Sequence, residues 1–383
     1  MNVLIFYASY GGGHLSAANS IKQHIEDNYK NVNVQLVDCM KYIDVHIDKL
    51  TTDAYKLMAK KMPWVWGKFY YTSEKGVMYS ISNFNNKVMS LKLYKAFKEY
   101  KPDIVISTHP FSSQMVADLK KHGKTNCLLA SVMTDFASHT QWLVGHEYMD
   151  LIFVSNEKMR RSIIEQGVDE NKIFATGIPL SNRFLANFDR VGIKKSFNLD
   201  LSKKTILFFG GGEFGLGSET TVNILKSFMN NIKDKYQMIV ISGKNEQIKE
   251  KFERVVAEQN LNDKVFVYGY TTQVPEFMAI SDLVVTKPGG LTTSESLASG
   301  LPIVVINPIP GQEEENAEFL VEHGIAVWLK KKDNFEEKIS QLLSDEIELE
   351  HMKIKSKLMA KKNSTADICA KVFELYKDQK YID

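Results

Sequence analysis

MNVLIFYASYGGGH, residues 1–14, and TILFFGGGEFGLGS, residues 205–218, share one plan. In each stretch, a short apolar run that is typical of a buried strand leads directly into three consecutive glycines. Around both stretches, short apolar segments alternate with longer segments of helical periodicity. This alternation predicts parallel sheets with helices on both faces, and therefore an α/β protein made of two Rossmann-like doubly wound domains.

The same periodicity predicts the individual elements. A helix is expected at 16–28, and strands are expected at 3–7, 32–37, 104–107, 128–133, 151–154, 205–209, 237–241, 265–267, 283–285 and 303–306. We expect a first domain at 1–185 with a helical insertion at 43–100, a second domain at 200–365, and a C-terminal helix at 366–383 that packs back on the first domain. Ligands bind beyond the carboxyl ends of parallel strands, so both glycine loops are expected to face a cleft between the domains.

Composition excludes several classes of protein. The 383 residues include 48 Lys and Arg against 46 Asp and Glu, and a formal charge of +2 gives no overall basicity for nucleic-acid binding. Cys39, Cys127 and Cys369 lie far apart, unlike the cysteines of a zinc site or a disulfide framework. The N-terminus lacks the basic region and apolar run of a signal peptide, and no stretch of about 18 apolar residues predicts a membrane span. We therefore expect a cytoplasmic protein.

The first glycine loop ends in a histidine. Gly11, Gly12 and Gly13 would let a ligand approach the backbone, and the following helix would offer unpaired N–H groups to an anion. His14 is then expected to face the ligand, where its near-neutral pKa suits a general base or a phosphate contact. Gly11-x-Gly13-x-x-Ser16, with Asp38 after the second strand, also resembles a degraded dinucleotide fingerprint, which leaves a nicotinamide-dependent oxidoreductase as an alternative.

The second glycine loop and the segment 286–316 carry the richest polar pattern. The loop at Gly210 to Gly212 lacks the lysine of an NTPase P-loop, but its backbone N–H groups suit a diphosphate. At Gly289 and Gly290 a turn opens a helix that places Glu295 within its first turns. A carboxylate accepts two hydroxyl hydrogen bonds at once, so Glu295 suits a ribose diol better than a simple helix cap.

The insertion contains KKMPWVWGKFYY at residues 60–71. Its aromatic side chains, including Trp64, Trp66 and Phe69, alternate with lysines. They are expected either to pack inward or to contact the interfacial region of a bilayer, where Trp and Tyr are enriched and lysines meet anionic lipid. On this stretch alone, both interpretations remain open.

Taken together, these residues resemble a family. The chain is similar to B-type fold glycosyltransferases, in the branch that holds the processive diacylglycerol glucosyltransferases and monogalactosyldiacylglycerol synthase and that is related to the peptidoglycan N-acetylglucosaminyltransferase. The motifs span almost the whole chain: Gly11-Gly12-Gly13-His14, Thr134-Asp135-Phe136 with His139 and Trp142, Thr176-Gly177-Ile178-Pro179, Lys287-Pro288-Gly289-Gly290 with Glu295, and Pro310-Gly311-Gln312-Glu313 with Asn316.

The resemblance implies an inverting transfer of a hexose, glucose rather than galactose, from a UDP-sugar to the hydroxyl of 1,2-diacylglycerol. His14 would be the catalytic base, and Asp135 a second candidate or its orienting partner. The second domain would bind the donor, with Glu295 on the uridine ribose and Gln312 and Glu313 on sugar hydroxyls. The full donor set implied is Gly13, Gly211, Gly212, Glu213, Phe214, Gly289, Gly290, Leu291, Thr292, Thr293, Glu295, Gln312, Glu313 and Asn316.

The first domain would face the acceptor and the membrane, through Trp64, Trp66, Phe69, His139 and Trp142. An insoluble acceptor implies a peripheral enzyme at the anionic inner face of the cell membrane. No D-x-D string occurs in the chain, so no obligatory metal or other cofactor is expected. A UDP-galactose-dependent synthase and, from another class, a non-catalytic nucleotide-sugar-binding regulator remain as further alternatives.

Overall fold

The computed structural model describes residues 1–8, 12–43, 77–211, 219–232 and 234–382. The chain forms two compact units, which are described separately. Unit 1 comprises Met1–Asn182 together with Lys361–Asp383, and unit 2 comprises Arg183–Ala360.

Unit 1 contains a six-stranded parallel sheet in the order β2-β1-β3-β4-β5-β6. Its strands are β1 Asn2–Tyr7, β2 Asn33–Asp38, β3 Ile104–Ser107, β4 Leu128–Val132, β5 Leu151–Phe153 and β6 Ile173–Phe174. Because β2 lies on one side of β1 and β3 on the other, the direction of sheet growth reverses between β1 and β3. Such a switch point separates the loops that follow the two strands and is the usual ligand site of an open parallel sheet.

The helices of unit 1 cover both faces of this sheet. They are α1 Gly12–Asn28, α2 Cys39–Ile43, α3 Val77–Tyr100, α4 Pro110–Lys121, α5 Glu157–Glu165 and, after the helices of unit 2, α14 Ser364–Ile382. One face of α14 is apolar, and Ile368 and Val372 are fully buried in the same cluster as Ile21 and Ile25 of α1. The C-terminal helix is thus part of the core of unit 1.

Unit 2 repeats the plan with a parallel sheet in the order β12-β11-β10-β7-β8-β9. Its strands are β7 Lys204–Phe209, β8 Tyr236–Ile241, β9 Val265–Tyr268, β10 Leu283–Thr286, β11 Ile303–Ile306 and β12 Ala326–Leu329. The switch point lies between β7 and β10. The helices are α6 Arg190–Ser196, α7 Glu219–Asn231, α8 Glu246–Glu258, α9 Val274–Ile280, α10 Gly290–Ala298, α11 Gln312–Glu322, α12 Phe335–Ser344 and α13 Glu346–Met359.

The predicted fold class of two doubly wound α/β domains is confirmed, since each unit holds six parallel strands. The ten predicted strands all form, with ends that differ by one residue at most. Two edge strands, β6 and β12, were not predicted, and α1 begins at Gly12 rather than at residue 16. In the described part of the chain, no helix combines the length and the apolar character needed to cross a bilayer.

Candidate active site

The candidate site of unit 1 lies at the switch point between β1 and β3. His14 stands in the first turn of α1, two residues after the helix begins, and Thr108 directly follows β3. Thr134 follows β4, the next strand in the sheet. Parallel strands bring their carboxyl ends to one edge, which is why residues about a hundred positions apart in the sequence meet here.

Two contacts fix the orientation of the His14 ring. Its Nδ1 atom lies 2.6 Å from the carbonyl oxygen of Thr108 and 3.1 Å from the hydroxyl oxygen of Thr134. A carbonyl oxygen only accepts hydrogen bonds, so the short contact assigns the proton to Nδ1. Nε2 then keeps its lone pair. The Thr108 hydroxyl also donates to the His14 carbonyl at 3.0 Å, which fixes the backbone of the same turn.

The protein holds this imidazole in its neutral form. Burial lowers the pKa of His14 to about 4, although the bond to Thr108 acts in the opposite direction. His109, which caps the N-terminus of α4, packs its ring edge-on at 4.6 Å between centroids. Burial, and secondarily the neighbouring His14, also lowers the pKa of His109. A neutral ring with an unprotonated Nε2 is the form that accepts a proton.

The other predicted residues of unit 1 lie in the segment after β4. Asp135 is buried directly beside Thr134 in the sequence, and His139 caps a short 3-10 helix by accepting a hydrogen bond from the Gln141 N–H at 3.2 Å. Trp142 is only 3% exposed and belongs to the core cluster of unit 1. Its side chain is therefore placed for packing, not on the surface as a membrane contact requires.

The candidate site of unit 2 lies at the switch point between β7 and β10. Gly289 is the N-cap of α10, and a Cβ atom added at this position would meet no atom of the described residues within 4 Å, so packing against them does not explain the glycine. Gly211 differs, because any side chain there would collide with the Ser242 backbone. Gly289 thus leaves the α10 N-terminus open to an anion, whereas Gly211 allows the close approach of two loops.

Glu295 lies on the second turn of α10 and is partly buried. Burial raises the pKa of its carboxyl to about 8. Within the described residues, no group donates a hydrogen bond to this carboxyl. A desolvated carboxyl that receives no hydrogen bond from the described residues is unfavourable in the charged form, and hydroxyl donors from a ligand would stabilise that form.

Around the α11 N-terminus, two contacts join the loops that follow β10 and β11. Lys287 Nζ lies 3.0 Å from Glu313 Oε2, which also accepts a hydrogen bond from the Ile309 N–H at 2.7 Å. The fully buried Asn316 side chain donates to the Pro288 carbonyl at 3.0 Å. Glu313, predicted to read a sugar hydroxyl, thus already holds a lysine and a backbone N–H through one oxygen. The neighbouring Gln312, partly buried, is the first residue of α11.

The remaining predicted residues divide into two groups. Gly13, Gly290, Leu291, Thr292 and Thr293 lie in the first turns of α1 or α10, and Thr293 is fully buried. Several others lie outside the described residues: Gly212, Glu213 and Phe214 of the second glycine loop, and Trp64, Trp66 and Phe69 of the insertion.

Comparisons with known proteins show which family the chain belongs to. Residues 14–180 match the family model of "Monogalactosyldiacylglycerol (MGDG) synthase", and residues 190–359 match "Glycosyl transferases group 1". The processive diacylglycerol beta-glucosyltransferase of Bacillus subtilis (strain 168) is 30% identical over 365 residues, which cover 92% of this chain and 89% of that protein. The Bacillus cereus (strain 03BB102) protein of the same name is 31% identical, with 92% and 88% covered. The chain belongs to the processive diacylglycerol beta-glucosyltransferase family.

Solved structures share the fold of this chain. Acinetobacter baumannii MurG has a TM-score of 0.65 at 14% identity, covering 97% of this chain and 99% of MurG. Anabaena HepE has a TM-score of 0.59 at 13% identity, covering 99% and 100%. At these identities the likeness shows the fold alone. The resemblance inferred from the sequence is confirmed, and the glucosyltransferase family favours a transferase over the nicotinamide-dependent oxidoreductase.

Three residues that shape the site of this glucosyltransferase family member were given no role from the sequence. Thr108 was not named, whereas Thr134 and Lys287 were quoted only as parts of motifs; the two threonines fix the His14 tautomer, and Lys287 pairs with Glu313. Each threonine directly follows a predicted buried strand and so lies at the carboxyl edge of the sheet, which is the signal that would have found them. In the described part of the chain, no group of three or more His, Cys, Asp or Glu side chains is arranged to hold a metal ion.

Proposed function

We propose that this family member transfers glucose from UDP-glucose to the hydroxyl of 1,2-diacylglycerol, with inversion at the anomeric carbon. Relatives that cover most of the chain are named processive diacylglycerol beta-glucosyltransferases, and HepE, which shares the fold, was solved with UDP-glucose. The observation on this chain that supports the chemistry best is the His14 ring, whose Nδ1 proton points to Thr108 and leaves Nε2 as a base.

In the proposed reaction, His14 Nε2 takes the proton of the acceptor hydroxyl as the hydroxyl oxygen attacks C1 of the sugar. The bond between C1 and the diphosphate breaks, and UDP departs with the electron pair. Unit 2 would bind the donor, with the α10 N-terminus at Gly289 and Gly290 stabilising the diphosphate and Glu295 gripping the ribose. Lys287 and Glu313 would hold the loop that presents Gln312 to the sugar.

The acceptor side would be formed by unit 1. We include Asp135 as a second candidate base and His139 as an acceptor contact. The buried Trp142 would anchor the segment after β4 to the core of unit 1. An insoluble acceptor requires contact with a bilayer surface, for which Trp64, Trp66 and Phe69 are suited by residue type. The protein would therefore act as a peripheral enzyme on an anionic membrane face.

One assay tests donor, acceptor and processivity together. Vesicles that contain diacylglycerol are incubated with the protein and either UDP-glucose or UDP-galactose, and the lipids are separated and weighed by mass spectrometry. We expect monoglucosyl- and then diglucosyldiacylglycerol, with UDP-galactose consumed at least about tenfold more slowly. The MGDG synthase match of unit 1 makes galactose the second candidate, and a galactolipid as the main product would replace glucose in the proposal.

We also propose that the reaction needs no metal ion, because helix N-termini with their unpaired backbone N–H groups supply partial positive charge to the leaving diphosphate. Treatment of the purified protein with EDTA is expected to change the initial rate less than twofold. The control restores magnesium after EDTA removal. Loss of activity with EDTA and its return with magnesium would refute metal independence.

A further inference from the structure

Helix α13, Glu346–Met359, packs on unit 2 through one face only. Met352 on this face is 1% exposed and belongs to the core cluster, and the hydroxyl of fully buried Ser356 donates to the Leu301 carbonyl at 2.9 Å. These contacts fix the rotation of the helix about its axis. They therefore also fix which residues face away from the protein.

The outward face of α13 carries aliphatic side chains where polar ones are expected. Ile347 is 72% exposed, Ile354 47% and Leu358 81%. At 100° per residue, the three positions lie within about 40° of one another, roughly opposite Met352 and Ser356. Single exposed aliphatic residues are common, but a line of three along the solvent face of one helix is not. We call Ile347, Ile354 and Leu358 the α13 stripe.

Positive charge borders the C-terminal half of the stripe. Lys353, Lys355 and Lys357 flank Ile354 and Leu358, and residues 351–366 contain no Asp or Glu. Lys353 Nζ lies 3.9 Å from Glu350 Oε2, and the N-terminal half of the stripe at Ile347 is bordered by acidic residues. The Lys355 side chain lies against Gly324 and that of Lys357 against Gly300, so the two lysines extend to opposite sides of the stripe. Aliphatic side chains between lysines match a bilayer whose surface is anionic, because the chains enter the lipid while the ammonium groups meet phosphates.

We propose that the C-terminal half of the outer face of α13, at Ile354 and Leu358, docks on an anionic bilayer surface. This inference rests on the proposed function in one respect: an acceptor that resides in a bilayer requires the protein to reach a membrane. It adds a contact surface on unit 2 to the one suggested for the insertion of unit 1. Two weak contacts are a common requirement for stable peripheral binding, because each alone is marginal.

The test is sedimentation of the full chain with vesicles of equal parts phosphatidylglycerol and phosphatidylcholine, without diacylglycerol or UDP-sugar. Replacement of Ile354→Ser with Leu358→Ser is expected to weaken partitioning about tenfold. Lys353→Gln with Lys357→Gln is expected to weaken it about tenfold at low salt and much less at high salt. The matched controls are Leu201→Ser, at an exposed leucine elsewhere in unit 2, and Lys195→Gln with Lys251→Gln. The controls should stay within about twofold of the unaltered chain.

Further measurements separate the possible results. UDP binding and the unfolding temperature of the stripe variants should match those of the unaltered chain, since the changed residues are exposed. The contribution of the insertion to vesicle binding is measured in parallel with a variant that combines Trp64→Ser, Trp66→Ser and Phe69→Ser. Unchanged partitioning of the Ile354, Leu358 variant would overturn the proposal, as would a change in its oligomeric state without a change in vesicle binding. Failure of the unaltered chain to glucosylate diacylglycerol would instead refute the proposed function.

Discussion

Replacement of His14 by alanine is expected to lower kcat for glucosyl transfer by about a thousandfold, with UDP-glucose affinity changed less than about threefold. The reason is that a positioned general base contributes about 10²- to 10⁴-fold to a rate, and His14 Nε2 is the atom left unprotonated by the bond from Nδ1 to Thr108. The measurement is single-turnover kinetics with diacylglycerol vesicles, combined with calorimetric titration of UDP-glucose.

A graded series tests the role of the ring orientation. Thr134→Val removes the hydroxyl contact at 3.1 Å but leaves the Thr108 carbonyl in place, so we expect a loss of about three- to tenfold. His122→Ala, at an exposed histidine of the same unit, is the matched control and should retain full activity. A His14→Ala variant with full activity and normal UDP-glucose binding would contradict the assignment of the base. A non-catalytic regulator would show no transfer even in the unaltered chain.

The pH dependence of this series has a definite sign. Proton transfer needs the neutral imidazole, so the rate falls as the pH drops through the pKa of His14. Because burial lowers that pKa to about 4, the acid limb should lie near pH 4 instead of near 6.5. Between pH 5.5 and 7, protonation of His14 should therefore leave kcat unchanged. An acid limb near pH 6.5 in the unaltered chain that is absent from the residual activity of a His14 variant would contradict a buried, neutral base.

Strands were more predictable from the sequence than the site was. A buried parallel strand is apolar throughout, so runs such as residues 303–306 are visible without any knowledge of partners. β6 has only two residues, which is too short for any periodicity. β12, Ala326–Leu329, is apolar throughout, as the predicted strands are, so its sequence carried the signal of a strand although it was not predicted. The start of α1 was misplaced because Gly12 and Gly13 have poor helix propensity, which the tertiary structure overrides.

Side-chain pairing within the site could not be read from the sequence. The switch-point rule predicts which loops meet, and it correctly brings His14 to the carboxyl edge of the sheet of unit 1. It does not predict that a backbone carbonyl, rather than a carboxylate, accepts the hydrogen bond from His14 Nδ1. Nor does it predict that Glu313 is held by Lys287, since both residues suit a ligand equally well by type. Such pairings depend on loop geometry at the level of single ångströms.

Replacement of Glu295 is expected to have a large effect on UDP-glucose binding. Glu295→Ala should weaken UDP-glucose binding by about 10²-fold, because two hydrogen bonds from the ribose to a charged acceptor are lost. Glu295→Gln keeps one acceptor oxygen without the charge and should weaken binding about tenfold. Calorimetric titration measures both. As a matched control, Glu318→Gln changes an exposed carboxylate of unit 2 and should leave the affinity unchanged.

Proton release should accompany donor binding at this carboxyl. Burial raises the pKa of Glu295 to about 8, so at pH 7 only about one molecule in ten of the ligand-free protein carries the carboxylate. Ribose hydroxyls donate to the charged form and lower the pKa in the complex. The affinity for UDP-glucose should therefore rise up to about tenfold per pH unit from pH 6 to 8 and level off above pH 8, whereas Glu295→Gln should show no such slope.

The ribose contact itself can be isolated with a modified donor. A 2′-deoxy analogue of UDP-glucose removes one of the two hydroxyls that the carboxylate would accept. We expect it to bind the unaltered chain about tenfold more weakly than UDP-glucose, but to bind Glu295→Ala about as well as UDP-glucose does, because the partner of the missing hydroxyl is already gone. If the deoxy donor were weakened equally in both proteins, the hydroxyl would contact another group, and the raised pKa of Glu295 would then reflect burial without a role in ribose binding.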